Sequence, residues 1–202
     1  MKEFIYYVDQ NDVPTGEIAN KYDAHNAATK LHAAFSCYIF NEKGQFLVTQ
    51  RSFTKKVWPG VWTNTCCGHP MHHESRTDAI KRRLQYELGM EAEDFKILIP
   101  HYIYKTPPYN GIIEYEYCPV YVARATGQPI LNSKEVEAYY WMDWSDYIVA
   151  LESDGATNAA KREWMQKMDT GESRKLGIWS WWSKDQLKQL KDHPLLQTYI
   201  KK

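Results

Sequence analysis

The chain has 202 residues, enough for one ordinary domain with a sizeable core or one domain plus a small appendage. Lys+Arg and Asp+Glu both number 25, so the formal charge is zero, which removes the electrostatic case for a nucleic-acid or membrane-surface binder but leaves room for a local basic patch holding a small anion. Hydrophobic residues at 44% and charged residues at 25% are soluble-globular proportions, and no apolar run approaches the ~20 residues of a membrane span. Met1-Lys2-Glu3 leads straight into a strand-like segment, without the apolar stretch and cleavage site of a secretory leader. Cys37, Cys66, Cys67 and Cys118 are too few for a disulfide scaffold, and adjacent cysteines suit one poorly, so a reducing, cytoplasmic setting is expected.

Phe4 to Asp9 is a short β-rich run, and Asn11 to Gly16 supplies turn chemistry. Residues 20–31 are polar. Ala33 to Phe40 reads as a buried strand closed by a turn at Asn41-Glu42-Lys43-Gly44. Gln45 to Arg51 alternates, with Leu47, Thr49 and Arg51 on one face and Phe46, Val48 and Gln50 on the other. Trp58-Pro59-Gly60 breaks the chain before Val61 to Thr65. Ser75 to Leu88 is the clearest helix: Ser75 caps it with Asp78 three residues on, Ile80, Leu84 and Leu88 form a stripe, and Gly89 supplies the stop. Ile97 to Tyr104 and Ile112 to Ala125 read as strands flanking the turn Pro107-Pro108-Tyr109-Asn110-Gly111. Val136 to Met142 is another strand, and helices are expected near 144–151, 157–168 and 183–191. Strands and helices intermixed in this way predict an α/β or α+β domain, with a composition shift near residue 152.

Candidate chemistry sits on a few residue types. His25 and His32 lie seven residues apart, which would put them on one face of a helix, and His69 follows Cys67-Gly68 in a tight stretch. Glu114 and Glu116, two apart on a strand, share a face. Three imidazoles and two carboxylates make a nitrogen/oxygen site suited to Mn²⁺, Zn²⁺ or Mg²⁺. A lone histidine is more often a core or surface residue, and Cys66 with Cys67 reads as packing; a structural zinc site with His69 ranks below that, because the usual Cys-x₂-Cys partner pair is missing elsewhere. His72, His73, His101 and His193 carry no special assignment. Arg83 and Glu87 have the spacing of an i,i+4 surface ion pair.

From Gly68 the spacing Gly68, five residues, Glu74, seven residues, Arg82, then Leu84, Glu87, Gly89 and Met90 resembles the Nudix box, whose loop and helix present carboxylates to divalent metals on a diphosphate. Arg83 and Tyr86 stand where a Nudix hydrolase has Glu, leaving Glu74 and Glu87. Splitting a diphosphate commonly needs several carboxylates around a cluster of Mg²⁺. Such a set grips a Mg-diphosphate but is poorly supplied to split it. Arg51-Ser52-x-x-Lys55, Trp58-Pro59-Gly60-Val61-Trp62-Thr63-Asn64, Cys67-Gly68-His69-Pro70 and Gly111-Ile112-Ile113-Glu114-Tyr115-Glu116 together resemble the type 1 isopentenyl-diphosphate isomerases, a metal-dependent branch of the Nudix superfamily, from about residue 5 to residue 146.

The resemblance implies a Nudix-type mixed β-sheet sandwiched between helices, with added N-terminal strands and C-terminal helices. It implies one domain over 1–202: an extension at 1–30 carrying Lys21 and His25, a core at 31–150, and a helical part at 151–202 completing the pocket. The family interconverts isopentenyl and dimethylallyl diphosphate by protonating an alkene to a tertiary carbocation and deprotonating on the other side. That requires an acid, a base, a dry pocket and a hold on the diphosphate. Carried over, Cys67 and Glu116 are catalytic, with Glu116 donating a proton through Tyr104 and Cys67 removing one as thiolate. His25, His32, His69, Glu114 and Glu116 match the metal ligands, with Mn²⁺, Zn²⁺ or Mg²⁺ at that site, and Glu87 matches the ligand of a Mg²⁺ shared with the diphosphate. Lys21, Arg51, Lys55 and Arg83, with the Gly68 backbone, match the diphosphate binders. Trp182, in Ile178-Trp179-Ser180-Trp181-Trp182, is the counterpart of a Trp facing the carbocation, Trp181 standing where relatives have Pro. Trp179, Trp181, Trp62 and Trp141 read as packing or pocket wall. The resemblance implies no flavin or nucleotide cofactor, a small-molecule partner rather than nucleic acid or membrane, and a monomer or weak homodimer. Two alternatives stand: a pyrophosphohydrolase acting on a nucleotide or prenyl diphosphate, and a non-catalytic metal or diphosphate-binding module.

Overall fold

The computed structural model describes residues 3–153 and 179–200. The helix expected over 157–168 and the polar segment 152–176 lie almost wholly outside those residues.

Two mixed sheets carry the fold. The first holds β1 (Phe4–Val8), β2 (Pro14–Asn20), β3 (His32–Ala33), β9 (Ile103–Lys105) and β10 (Tyr115–Tyr117), in the order β2-β1-β3-β10-β9. The second is built on β4 (Phe35–Phe40), β5 (Phe46–Arg51), β8 (Glu91–Ile99), β11 (Val120–Thr126) and β12 (Val136–Met142), in the order β12-β5-β4-β11-β8. Short strands β6 (Trp62–Thr63) and β7 (Cys66–Gly68) add to β5 and β4. Three chain stretches pass from one sheet into the other, as β3 to β4, β8 to β9 and β10 to β11. Two of them break at a proline, Pro100 after β8 and Pro119 before β11, which lacks a ladder N–H, and the third breaks at Ala34. The gap is bridged by Ala34 N–H donating to Tyr117 O (2.8 Å) and Cys118 N–H donating to Tyr102 O (2.7 Å). The strands expected whole at Ile97–Tyr104 and Ile112–Ala125 are therefore each split.

β4 is buried on both faces because helices cover both. Phe35, Cys37 and Ile39 meet Ala79, Ile80, Leu84 and Leu88 of α2 (Arg76–Leu88), while Tyr38 and Phe40 meet the opposite layer. That layer is α3 (Trp144–Glu152), α4 (Trp181–Leu190) and α5 (Pro194–Ile200). β5 divides the same way: Leu47 faces α2, and Phe46 and Val48 face the other side. The mixed sheet lies between helices, as expected. α2 has the expected ends: Ser75 accepts from the Asp78 N–H, and Gly89 takes the left-handed conformation at φ 54°.

Two elements went unread in the sequence. β2 follows directly on the turn and is an edge strand with most side chains exposed, so it shows no apolar alternation. The helix α1 (Lys21–Ala24) is a single turn capped by Asn20, so His25 and His32 are not on one helix. Among the described residues no helix is long and apolar enough to cross a membrane.

Candidate functional site

Where the two sheets meet, a cavity of about 380 Å³ opens. Strand register loads it. β10 pairs with β3 so that Glu116 lies opposite His32, and with β9 so that Glu116 lies opposite Tyr104. β7 pairs with β4 so that Cys67 lies opposite Ser36. Alternation along β7 sends Cys66 into the α2-side core and leaves Cys67 on the cavity wall.

His25, His32, His69 and Glu116 converge, one ligand atom from each lying within 4.8 Å of all the others. His32 Nε2 and His69 Nε2 are 3.2 Å apart, and His69 Nε2 is 2.9 Å from Glu116 Oε1. The orientation of two rings is fixed from behind: His25 Nδ1–H donates to Lys21 O at 2.6 Å, and His32 Nδ1–H donates to Lys30 O at 2.9 Å. Each thereby turns a bare Nε2 toward the cluster, the usual support of a metal-ligating histidine. Burial lowers His25 to about 4 and His69 to about 3, so both rings are neutral near pH 7, the form a metal needs. Burial alone would raise Glu116, but its imidazole neighbours His32 and His69 outweigh it and hold the group well below the usual carboxylate range. Three imidazoles and one carboxylate fit a divalent cation.

Glu114 does not join this group of four. It lies just before β10 and lines the cavity, where burial and the adjacent Glu116 charge push it up to about 7. No cysteine belongs to the group either, so the zinc alternative built on Cys66, Cys67 and His69 has no geometric support.

Tyr104 O–H donates to Glu116 Oε2 at 2.7 Å, as its register position demands. Cys67 S–H donates to Asn64 Oδ1 at 3.2 Å, and Ser36 Oγ lies 3.3 Å from the sulfur. Burial pushes the Cys67 thiol up to about 12, against the hydrogen bonds of Ser36 and Asn64.

The far wall is ionic. Arg83, which is buried, donates to both Glu87 (Nε to Oε1, 2.9 Å) and Glu3 (Nη1 to Oε1, 2.8 Å), and its Nη2 reaches Glu135 Oε2 at 2.9 Å. Lys55 pairs with Glu135, and Lys21 with Glu3 at 2.8 Å. The Arg83–Glu87 pair is thus not the exposed helix pair that its spacing suggested. Glu74 instead accepts from Arg82 Nε at 2.7 Å and lies outside the cavity lining. Gly68 sits where a Cβ would meet Phe35 at 3.1 Å and Arg83 Cγ at 3.2 Å, so its lack of a side chain lets α2 bring Arg83 close.

The NUDIX domain family matches residues 30–168. Proteins of Salmonella paratyphi B and Salmonella typhi, each named isopentenyl-diphosphate Delta-isomerase, are 47% identical over 164 residues, which is 81% of this chain and 88% of theirs. The chain belongs to the isopentenyl-diphosphate Delta-isomerase family, within NUDIX. A solved Deinococcus radiodurans protein, 18% identical, covers 82% of this chain and 99% of its own with a TM-score of 0.58, which shows the shared fold.

The family's Trp expectation falls on a region with three candidates, and the geometry separates them. Trp182 lines the cavity, donates from Nε1 to Thr63 Oγ1 at 2.7 Å, and has the Arg51 guanidinium 5.7 Å from its ring. Trp181 stacks on Tyr104 at 5.9 Å, and Trp179 is buried in the core against Tyr147. Trp62 is core. Trp141 packs from the α2 side. Among the other isomerase-like residues, Lys21, Arg51, Lys55, Arg83 and Glu87 all reach the cavity. Sequence reasoning missed Glu3 and Glu135, which hold those cations, and Asn64, Ser36 and Gln186 behind Cys67. Except for Asn64, three residues from Cys67, their partners are remote in the chain, and no local pattern marks them.

Proposed function

We propose that the protein isomerises isopentenyl diphosphate to dimethylallyl diphosphate in isoprenoid precursor synthesis. One observation carries the reading: Cys67 shares a cavity with a Tyr104–Glu116–imidazole cluster, and the opposite wall is cationic. The family membership and the carry-over of its motifs support the same conclusion.

Lys21, Arg51, Lys55 and Arg83 hold the diphosphate, with the Gly68 backbone beside them, and the five-carbon tail lies toward Cys67 and Glu116. Glu116 gives a proton to the terminal carbon with Tyr104 as relay, and Cys67 removes one from the adjacent methylene. Trp182 offers an electron-rich ring to the tertiary cation. One turnover of that kind leaves the proton on Cys67 and the charge on Glu116. Exchange with solvent resets both groups for the next turnover. His25, His32, His69 and Glu116, with Glu114 beside them, would hold Mn²⁺, Zn²⁺ or Mg²⁺, and Glu87 a Mg²⁺ with the diphosphate. The bound ions supply positive charge that lowers the cost of ionised carboxylate and diphosphate oxygens in a desolvated site. The same reading makes the protein cytoplasmic, a monomer or weak homodimer, without flavin or nucleotide.

The test is a ¹H NMR time course with isopentenyl diphosphate and Mg²⁺ in D₂O, without flavin. Dimethylallyl diphosphate carrying deuterium in a methyl group is the expected result. Release of phosphate or diphosphate would replace the reading with a hydrolase. Intact substrate with a folded, metal-loaded protein would replace it with a binding module.

A further inference from the structure

Gln186, on α4, is fully buried. It reaches the reacting end of the cavity through one intermediary. Tyr38 O–H donates to Gln186 Oε1 at 2.9 Å, and Gln186 Nε2 donates to Ser36 Oγ at 2.9 Å. Ser36, itself buried, has its Oγ 3.3 Å from Cys67 Sγ, with Cys118 Sγ a further 3.6 Å donor to it.

The hydrogen count gives this chain a direction. A hydroxyl has one proton and two lone pairs. With Gln186 and Cys118 both donating to Ser36 Oγ, the lone pairs are spoken for and the Ser36 proton is left for the sulfur. On the other side, Asn64 cannot turn: its Nδ2 donates to Cys37 O at 3.2 Å and Cys66 O at 3.3 Å, so Oδ1 faces Cys67 and accepts its S–H at 3.2 Å. The sulfur is therefore gripped by one donor and one acceptor of fixed sense.

We infer that Gln186 is a positioning residue for the reaction: by donating to Ser36 it commits the Ser36 hydroxyl to Cys67, and so fixes where the sulfur sits in the cavity. The inference rests on the isomerase reading above. It follows from placement in a tightly packed site, where a shift of about 1 Å in a reacting group costs on the order of a hundredfold in rate.

An isosteric change tests the sense of the chain rather than its bulk. Gln186→Glu keeps the shape, but a carboxylate accepts from both Tyr38 and Ser36, turning the Ser36 proton away from the sulfur. The expected result is a fall in kcat of about tenfold, the worth of one hydrogen bond, with KM for isopentenyl diphosphate unchanged. Ser36→Ala should give a similar fall, and Gln186→Glu should add nothing further in that background. Thermal unfolding of each variant and its metal content separate this from a loss of folded protein, and Gln186→Met serves as the neutral alternative should the carboxylate unfold the core. Independent, multiplying losses from Ser36 and Gln186, or full kcat in a folded Gln186→Glu protein, would overturn the proposal. A wild-type protein that fails to isomerise in the same assay would overturn the isomerase reading instead.

Discussion

At one end of the cavity the His25, His32 and His69 rings gather around a single carboxylate, Glu116, whereas at the other end buried Arg83 and its neighbours Lys21 and Lys55 are paired with Glu3, Glu87 and Glu135. The first end is made by desolvation and backbone carbonyls that orient the rings. The second is made by Coulombic pairing that offsets the cost of burying charge. The lesson is that one site prepares for cations and anions by opposite means. On the isomerase reading proposed above, the imidazoles would take a metal, and a diphosphate would replace or share the carboxylates that hold the cations in place.

The contrast breaks first at the reacting groups. Cys67→Ala and Glu116→Gln each leave the ionic wall intact, and each is expected to lower turnover by ~10² to 10⁴ while binding of substrate persists. Glu116→Gln should also reduce bound metal, and Cys67→Ala should not; metal analysis beside steady-state kinetics distinguishes them. A Cys67→Ala protein with most of its turnover would remove Cys67 from the mechanism. At the other wall, Arg83→Met strands Glu87, Glu3 and Glu135 around an uncharged side chain. The expected loss is about 3–5 kcal/mol of stability, as for breaking a buried ion pair from one side. Urea unfolding without substrate measures it, and an unchanged midpoint would show that the carboxylates relax into solvent at little cost.

Legibility of the fold followed the range of the interaction. α2 was readable because its signals are local: Ser75 with Asp78, the Ile80–Leu84–Leu88 stripe and Gly89 all lie within one stretch. β4 was readable because it is apolar on both faces, and β5 because its residues alternate. β2 was not, since an exposed edge strand has no buried face to print a pattern. The site divides likewise. His25, His32, His69 and Glu116 came from motif resemblance, and the structure gathers them; the seven-residue spacing of His25 and His32 left a shared helical face open, and the single turn of α1 ends before His25. Glu114 shares the cavity but stands off the group because β10 begins only at Tyr115. Gln186 was invisible, because its partner Ser36 is 150 residues away in the chain. A hydrogen bond of that span leaves no local trace.

The two ends also differ in the pH at which they give way, and this is the smallest effect and the sharpest. For a buried ring with a lowered value, the unfolded chain takes a proton that the fold refuses, so stability falls as pH drops from about 6.5 and levels off near 4 for His25. Glu3 works in another window. Burial would raise its value, but Lys21 and Arg83 outweigh that and lower it from 4.5 to about 2, so its contribution is whole above 4.5 and is lost as pH falls toward 2. Because Glu3 keeps part of its side chain in solvent, screening reduces the contribution to about 1 kcal/mol. Glu3→Gln should therefore cost about that much at pH 7, less at pH 3.5, and less again in high salt. Urea midpoints of wild type and variant in metal-free buffer, from pH 7 down to 3.5, give the comparison directly. A difference that stays constant through this range would mean that Glu3 acts by packing the first strand, and that its charge does not hold Lys21 and Arg83 in place.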